Sequence, residues 1–122
     1  AKGCAFLDAP VSGGPAGATG ATLTIMVGGT KEAFERALPL FQDLGKNIHH
    51  IGPSGAGTTI KLVNQLLVCI NMAGVVEGLM LGTKAGADPQ VIVDVLGSSF
   101  GGSFVLNRAS STNWRTTWAS AC

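Results

Sequence analysis

The fold of this chain depends most on residues 55–65, whose sequence is Gly-Ala-Gly-Thr-Thr-Ile-Lys-Leu-Val-Asn-Gln. They open a long apolar run, in which no charged residue occurs from Leu62 to Val76. A helix that is apolar on most of its sides is typically buried. Helical spacing places four polar residues on one narrow stripe of it: Lys61, Asn64, Gln65 and Asn71. A buried lysine beside amides is costly unless it is paired or used, and this pattern therefore indicates a functional site.

The composition indicates a chain whose surface is covered by further protein. The 122 residues suffice for one ordinary domain, but only 12% of them are charged, whereas about 25% is usual. The net charge is +1 and there is no basic cluster, which argues against a nucleic-acid partner. His49 and His50 lack further ligand-type neighbours, so we expect no metal site.

The cysteines favour a reducing compartment. Cys4, Cys69 and Cys122 are odd in number and widely spaced, which indicates no disulfide framework and predicts a cytoplasmic location. Cys69 lies in the apolar run and is expected to be a small core residue. No secretory leader is expected, because the chain passes at once into a strand-like run. A membrane span is disfavoured by the three amides of the apolar run and by Glu77.

The first part of the chain has the pattern of an α/β segment. A glycine-rich loop is predicted at residues 11–20. An amphipathic helix is predicted over residues 31–44, with Thr30 as its N-cap and Gly45 as its stop. Pro39 lies inside this helix and should kink or split it. Three short strands are predicted, at residues 4–7, 22–27 and 47–51.

The second part of the chain has the pattern of helices. The apolar helix is predicted over residues 58–85, a length of about 40 Å. Asp88 caps a second helix with Pro89 at its first position, and a third helix begins near Ser103. Three strands are few for a sheet standing alone, and a helix buried on nearly every side needs more helices than these. Both observations suggest a fragment or a tight oligomer.

The glycines before the apolar helix match no nucleotide-binding loop. A dinucleotide fingerprint starting at Gly55 would place its third glycine at Ile60, and a phosphate-binding P-loop would need lysine at Thr58. We expect instead a tight loop in which the glycines approach a neighbouring surface. We also expect an open helix N-terminus, whose N–H groups favour anions.

Lys61 is the candidate catalytic residue. The helix dipole and the expected burial both disfavour the cationic amine, which would suit it to general acid or base catalysis near neutral pH. The alternative is equally open: Lys61 pairs with Glu77 or extends to solvent.

The loop Ser12-Gly13-Gly14 is the candidate binding segment. It offers backbone N–H groups and one hydroxyl, which suit a carboxylate. An ordinary flexible turn has the same composition, and taken alone the loop is more typical of such a turn.

Together these motifs resemble the β-hydroxyacid dehydrogenase family, which includes 3-hydroxyisobutyrate dehydrogenases and tartronate semialdehyde reductases. Residues 8–14 (Asp-Ala-Pro-Val-Ser-Gly-Gly), with the glycines and leucine of residues 17–23, resemble its substrate-binding signature. Residues 55–64 are similar to its catalytic signature, and residues 77–86 fit the helix downstream. The resemblance covers about residues 4–107.

The resemblance implies a role for each candidate residue. It implies Lys61 as the general acid/base, which gives a proton to the carbonyl oxygen of the substrate or removes it in the reverse direction. The cofactor it implies is NAD or NADP, and the substrate a small carboxylate of the 3-hydroxyisobutyrate or tartronate semialdehyde type. The Asn-Gln pair after the lysine is similar to the tartronate semialdehyde reductase branch. The substrate-binding residues that it implies are Ser12, Gly13, Gly14, Asn64 and Gln65.

The resemblance also implies the fold class, an α/β fragment followed by a mainly α segment. Residues 1–52 would be the closing strands and helix of a Rossmann-type nucleotide-binding domain. Residues 53–108 would begin, with the long buried helix, an all-α C-terminal domain like that of 6-phosphogluconate dehydrogenase. Residues 109–122 would be a divergent tail.

Two readings of the function follow. The glycine fingerprint of the family is not found in the 122 residues, so we expect a dehydrogenase fragment that binds no NAD(P) alone and is catalytically silent. The rival reading is a non-enzymatic interaction module that forms a homodimer through its helical region, with Lys61 as a relic.

Overall fold

The computed structural model describes residues 3–109. The chain divides into two compact units, residues 1–65 and residues 66–122, and the boundary falls inside one long helix. The predicted order, an α/β segment followed by helices, is confirmed. The predicted divergent tail lies outside the described residues, apart from Ala109.

The first unit is built on a three-stranded sheet in the order β1-β2-β3. Strand β1 (Val11–Ser12) pairs antiparallel with β2 (Leu23–Gly28), and β2 pairs parallel with β3 (Gly45–Gly52). Helix α2 (Lys31–Leu44) makes the crossover that a parallel pair requires. Alternate residues of the central strand form the core with one helix residue: Leu23, Ile25, Val27 and Phe41.

The predicted strand at residues 4–7 is wrong, because it has no strand to pair with. β1 and β2 share one antiparallel register, which continues to an isolated bridge between Asp8 and Gly28. Gly28 is the last residue of β2, so the residues before Asp8 run past its end. Leu7 still packs against the core, and the other residues of this run are exposed.

The predicted loop at residues 11–20 contains more regular structure than its composition indicated. It begins with β1 and continues as the short helix α1 (Gly14–Thr19). Proline in the first turn of α1 fits a helix start, where the missing N–H costs nothing. Gly17 is buried against Leu23, so α1 lies on the central strand.

Helix α2 has the predicted ends but not the predicted break. The Thr30 side chain accepts a hydrogen bond of 3.3 Å from the Ala33 N–H, and Gly45 ends the helix in an extended conformation. The helix continues through Pro39. Pro39 and Glu35 are both exposed, so the carbonyl that loses its partner can bond to water.

Helix α3 (Ala56–Lys84) is the predicted apolar helix, but the predicted burial is wrong in this chain. Only Gly57 is buried along it, and Leu62 and Leu81 are 66% and 74% exposed. Cys69 is exposed as well, contrary to the expectation of a core residue. By length and composition alone α3 could also cross a membrane.

Two shorter helices follow in the second unit, α4 (Pro89–Gly97) and α5 (Phe104–Ala109). The predicted cap of α4 is confirmed, since Asp88 Oδ1 accepts a hydrogen bond of 2.7 Å from the Gln90 N–H. Val93 and Leu106 are buried in this unit.

The start of α3 lies directly on the central strand. A Cβ atom at Gly57 would overlap the carbonyl oxygen of Met26, and a Cβ at Gly28 would overlap the Asp8 carboxylate. A Cβ at Gly28 would also lie 2.9 Å from the Gly57 nitrogen. The two backbones therefore meet with no room for side chains, which confirms the predicted close approach of the glycine loop.

Two glycines of α3 should respond in opposite ways to alanine. Gly57→Ala should lower the free energy of unfolding by about 1–3 kcal/mol, because the methyl group forces β2 and α3 apart. Gly74→Ala should raise it by roughly 0.5–1 kcal/mol, because Gly74 has open space around it and alanine favours a helix. Urea unfolding followed by circular dichroism measures both. Equal effects of the two substitutions would contradict the close contact at Gly57.

Candidate functional site

The carboxylate of Asp8 caps the N-terminus of α3. Asp8 Oδ1 accepts a hydrogen bond of 2.6 Å from the Gly55 N–H. Asp8 Oδ2 accepts one of 2.7 Å from the Thr58 N–H and one of 3.0 Å from the Thr58 hydroxyl. The expectation of a helix N-terminus open to anions is therefore wrong, because a carboxylate of the chain itself occupies it.

Asp8 is held by hydrogen bonds of its backbone as well as of its side chain. Its backbone makes two hydrogen bonds with Gly28 at the end of β2, of 3.0 Å and 2.8 Å. The N–H groups of Gly55 and Thr58 favour the ionised carboxylate, so they lower the pKa of Asp8 below its ordinary value. The sequence reasoning missed this role, since Asp8 lies 47 residues before Gly55 and no local pattern links them.

The candidate catalytic lysine follows the cap by one helical turn. Lys61 and Asn64 are three residues apart, share a face of α3 and are both half-buried. Asn64 Nδ2 donates a hydrogen bond of 3.1 Å to Gln65 Oε1. Gln65 and Asn71 are exposed, so within the predicted polar stripe the first two residues are half-buried and the last two are not buried.

The predicted pairing of Lys61 with Glu77 is not present. Within residues 3–109 the ion pair that the structure contains joins Lys31 to Glu35, with 3.9 Å between Nζ and Oε1. Of the two alternatives to a catalytic role, extension to solvent is the one that the half-buried Lys61 side chain leaves open.

The candidate substrate loop begins at the end of β1. Ser12 is half-buried and pairs with Thr24 of β2. Gly13 and Gly14 have φ angles of +139° and +60°, which side chains rarely adopt. The loop is therefore a defined turn into α1 whose shape requires glycine at both positions.

The substrate loop and the start of α3 are both attached to β2. The loop is held at Thr24 through Ser12, and α3 touches the strand at Met26 through Gly57. Thr24 and Met26 are two residues apart, which is about 7 Å along a strand. The two segments that the sequence singled out therefore have neighbouring points of attachment.

The second of the paired histidines, His50, has structural contacts. His50 Nε2 lies 2.9 Å from the carbonyl oxygen of Gly29, and the His50 ring stacks on Phe34 at a centroid distance of 5.0 Å. Among the described residues no group of three or more His, Cys, Asp or Glu side chains could hold a metal ion.

Two family models match the chain, one on each side of the glycine loop. Residues 1–52 match the NAD binding domain of 6-phosphogluconate dehydrogenase. Residues 55–117 match the model described as NAD-binding of NADP-dependent 3-hydroxyisobutyrate dehydrogenase.

Relatives of known activity match most of this chain. A 3-hydroxyisobutyrate dehydrogenase of Pseudomonas aeruginosa is 50% identical over 107 residues, which are 88% of this chain and 36% of the relative. A 2-hydroxy-3-oxopropionate reductase of Escherichia coli is 50% identical over 101 residues, 83% of this chain and 35% of the relative. The chain thus spans about a third of the length of these relatives.

A solved structure of a relative has the same fold over the matched part. The 3-hydroxyisobutyrate dehydrogenase of Mycobacterium tuberculosis, solved with L-serine, superposes with a TM-score of 0.78 and is 34% identical. The superposition covers 87% of this chain and 36% of that one.

The Asp8 cap predicts a loss of stability in acid. The unfolded carboxyl binds a proton near its ordinary pKa of 3.8, and the folded one only at lower pH. The stabilisation is therefore complete above the ordinary value and is lost as the pH falls through about 4 and then through the folded pKa.

Asp8→Asn tests this dependence. The variant should be less stable at neutral pH, and its melting temperature should change less between about pH 6 and about pH 3 than that of the unmodified chain. Asp43→Asn is the matched control, because Asp43 is an exposed carboxylate of the same unit without a side-chain hydrogen bond among the described residues. Parallel pH profiles for the chain and Asp8→Asn would contradict the role of the cap.

Proposed function

The chain belongs to the β-hydroxyacid dehydrogenase family, and from this membership we propose that it carries the substrate loop and catalytic lysine of an NAD(P)-dependent oxidoreductase. The substrate class is a small β-hydroxy acid. Lys61 is the general acid/base, and the substrate-binding residues are Ser12, Gly13, Gly14, Asn64 and Gln65.

The observation that carries this proposal is the start of α3. Its first turn is fixed by Asp8, and Lys61 and Asn64 lie half-buried on one face immediately after it. The substrate loop Ser12-Gly13-Gly14 is attached to the same strand at Thr24, two residues from Met26, where Gly57 touches it. An amine and an amide near backbone N–H groups suit a substrate that has a carboxylate and a hydroxyl carbon close together.

The proposed mechanism divides the work between these segments. The Ser12 hydroxyl and the N–H groups of Gly13 and Gly14 hold the substrate carboxylate. The Lys61 amine accepts the proton of the substrate hydroxyl during oxidation and returns it during reduction, while Asn64 keeps the hydroxyl carbon in place. In the family NAD(P) carries the hydride. Gln65 is exposed, so we expect it to contribute less than Asn64.

The chain alone is not expected to bind NAD(P). The 122 residues contain no glycine fingerprint and the Asp8 carboxylate occupies the N-terminus of α3, so we expect these residues to supply only part of a dinucleotide site. An anionic pyrophosphate would be repelled there. We therefore expect the enzymatic role to need a further nucleotide-binding segment, and the matched part is only about a third of the relatives' length.

We propose a class of substrate and not one particular compound. Two relatives with the same identity to this chain carry the names of different activities, a 3-hydroxyisobutyrate dehydrogenase and a 2-hydroxy-3-oxopropionate reductase. The Asn64-Gln65 pair favours the second type. The proposed location is the cytoplasm, which fits widely spaced cysteines without a disulfide framework.

A transplant of this segment tests the proposed function. In the Pseudomonas aeruginosa relative, the matched segment is replaced by the corresponding residues of this chain. The chimaera should oxidise 3-hydroxyisobutyrate, and Lys61→Ala should lower its kcat by about 10²–10⁴, the usual contribution of general acid/base catalysis. Lys84→Ala is the matched control, since it removes an exposed lysine from the other end of the same helix.

Two results would contradict the proposal. One is equal loss of kcat in Lys61→Ala and Lys84→Ala. The other is turnover of 3-hydroxyisobutyrate or tartronate semialdehyde by the 122-residue chain alone, which would show that no further nucleotide-binding segment is needed.

A second candidate function is favoured by the exposed side of α3. Large apolar side chains along the helix are 40–74% exposed in this chain: Ile60, Leu62, Val63, Leu66, Leu67, Ile70, Met72, Met80 and Leu81. Such a surface is a liability in a monomer. We propose that two copies of the chain cover it by pairing their α3 helices, and that neither a membrane nor nucleic acid is the partner.

Sedimentation tests this homodimer. The chain should sediment as a dimer at micromolar concentration, and Leu66→Glu should shift it to monomer by placing a charge in the interface. Leu40→Glu is the matched control, because Leu40 is a 62% exposed leucine on α2 and should leave the dimer intact. A monomeric profile of the unmodified chain, or its flotation with lipid vesicles, would contradict the proposal.

A further inference from the structure

We propose that Asp8 is a positioning residue for Lys61: by capping α3 it sets the rotation of the helix and so the place of the catalytic amine. This inference rests on the proposed function of Lys61. Within residues 8–14, which resemble the substrate-binding signature, it gives Asp8 a role toward the protein and not toward the substrate.

The contacts of Asp8 divide between the sheet and the helix. Its backbone is bonded to Gly28 of β2, and its two carboxylate oxygens are bonded to the N–H groups of Gly55 and Thr58. The Thr58 hydroxyl adds a third hydrogen bond to the carboxylate. One residue thus joins the central strand to the first turn of α3 by charge-assisted hydrogen bonds, which are stronger than neutral ones.

The Asp8 cap limits the rotation of α3 about its axis, which the glycine contact does not limit. The contact of Gly57 with Met26 and Gly28 fixes how close α3 lies to the strand, but a bare backbone contact does not fix the rotation about the helix axis. The two Asp8 carboxylate oxygens do fix this rotation, because they accept hydrogen bonds from N–H groups three residues apart. Lys61 is three residues beyond Thr58 and therefore follows any rotation of this turn.

The magnitude is sufficient for a functional effect. At the roughly 5–6 Å radius of a helix with its side chains, a rotation of about 10° moves a side chain by about 1 Å. A misplacement of about 1 Å can cost a catalytic site about 10²-fold in rate. Asp8 can therefore matter to Lys61 without touching the substrate.

The experiment follows Lys61 directly in the full chain. Isotope-labelled lysine is introduced, the Lys61 signal is assigned with Lys61→Arg, and its chemical shift and its response to 3-hydroxyisobutyrate are recorded by NMR. Thr58→Val removes one hydrogen bond to Asp8 without a change of charge, and Thr58→Ser restores the hydroxyl. Asp8→Asn weakens the whole cap, with Asp43→Asn as its charge-matched control.

We expect a selective change at one lysine. Thr58→Val and Asp8→Asn should shift the Lys61 signal and weaken the response to 3-hydroxyisobutyrate about tenfold, the scale of one lost hydrogen bond to a charged group. Thr58→Ser and Asp43→Asn should leave both unchanged. The signals of Lys31, Lys46 and Lys84 should not move in any folded variant, which separates positioning from a general loss of structure.

The outcomes separate this inference from the proposed function. A Lys61 signal that is unchanged in folded Thr58→Val overturns the inference, whether or not Asp8→Asn folds. A normal response to 3-hydroxyisobutyrate in that variant overturns it as well. The proposed function is contradicted instead if the unmodified chain does not respond to 3-hydroxyisobutyrate, or if other residues still respond in Lys61→Arg. In that case the shift of the Lys61 signal in Thr58→Val still decides the inference.

Discussion

The Asp8 carboxylate at the N-terminus of α3 is the interaction on which the arrangement of the first unit depends. A helix start has N–H groups without partners inside the helix, and a side chain just before the helix usually satisfies them. Here that position is Gly55, which has no side chain and a φ angle of +92°. The cap therefore comes from Asp8 at the end of the sheet. Because the same residue pairs with Gly28, satisfying the helix also attaches it to β2.

The glycines around this joint serve two different physical needs. Gly55 has open space around it but a backbone conformation that favours glycine. Gly57 lies inside the helix and is instead limited by space, since a Cβ there would overlap the Met26 carbonyl. Gly28 is limited in the same way by the Asp8 carboxylate. The short glycine motif is therefore a requirement of packing the helix on the strand, and it leads to a lysine only because Lys61 lies on the turn that follows.

The sequence predicted those elements that local signals determine. The central strand, the Thr30 cap of α2 and the Asp88 cap of α4 depend on residues within a few positions of one another, and all three are confirmed. The strand at residues 4–7 failed because a strand also needs a partner, and β2 ends at Gly28. The Asp8 cap was missed for the same reason, since its partners lie 47 and 50 residues away. For the site, the sequence placed Lys61 and Asn64 on one helix face but could not show what holds that face in position.

The exposure of α3 shows why the predicted burial was wrong, and it also links the two candidate functions. An apolar helix indicates that some surface covers it, but the pattern does not say whether that surface belongs to the same chain. In the described residues Gly57 is the buried residue of the helix and Lys61 and Asn64 are half-buried just after it, whereas most of its large apolar side chains are exposed. The proposed site uses Lys61 and Asn64 near the start of the helix, and the proposed dimer surface uses its exposed apolar side chains from Ile60 to Leu81. The catalytic and the assembly proposals for α3 are therefore compatible, because they depend on different side chains of the same helix.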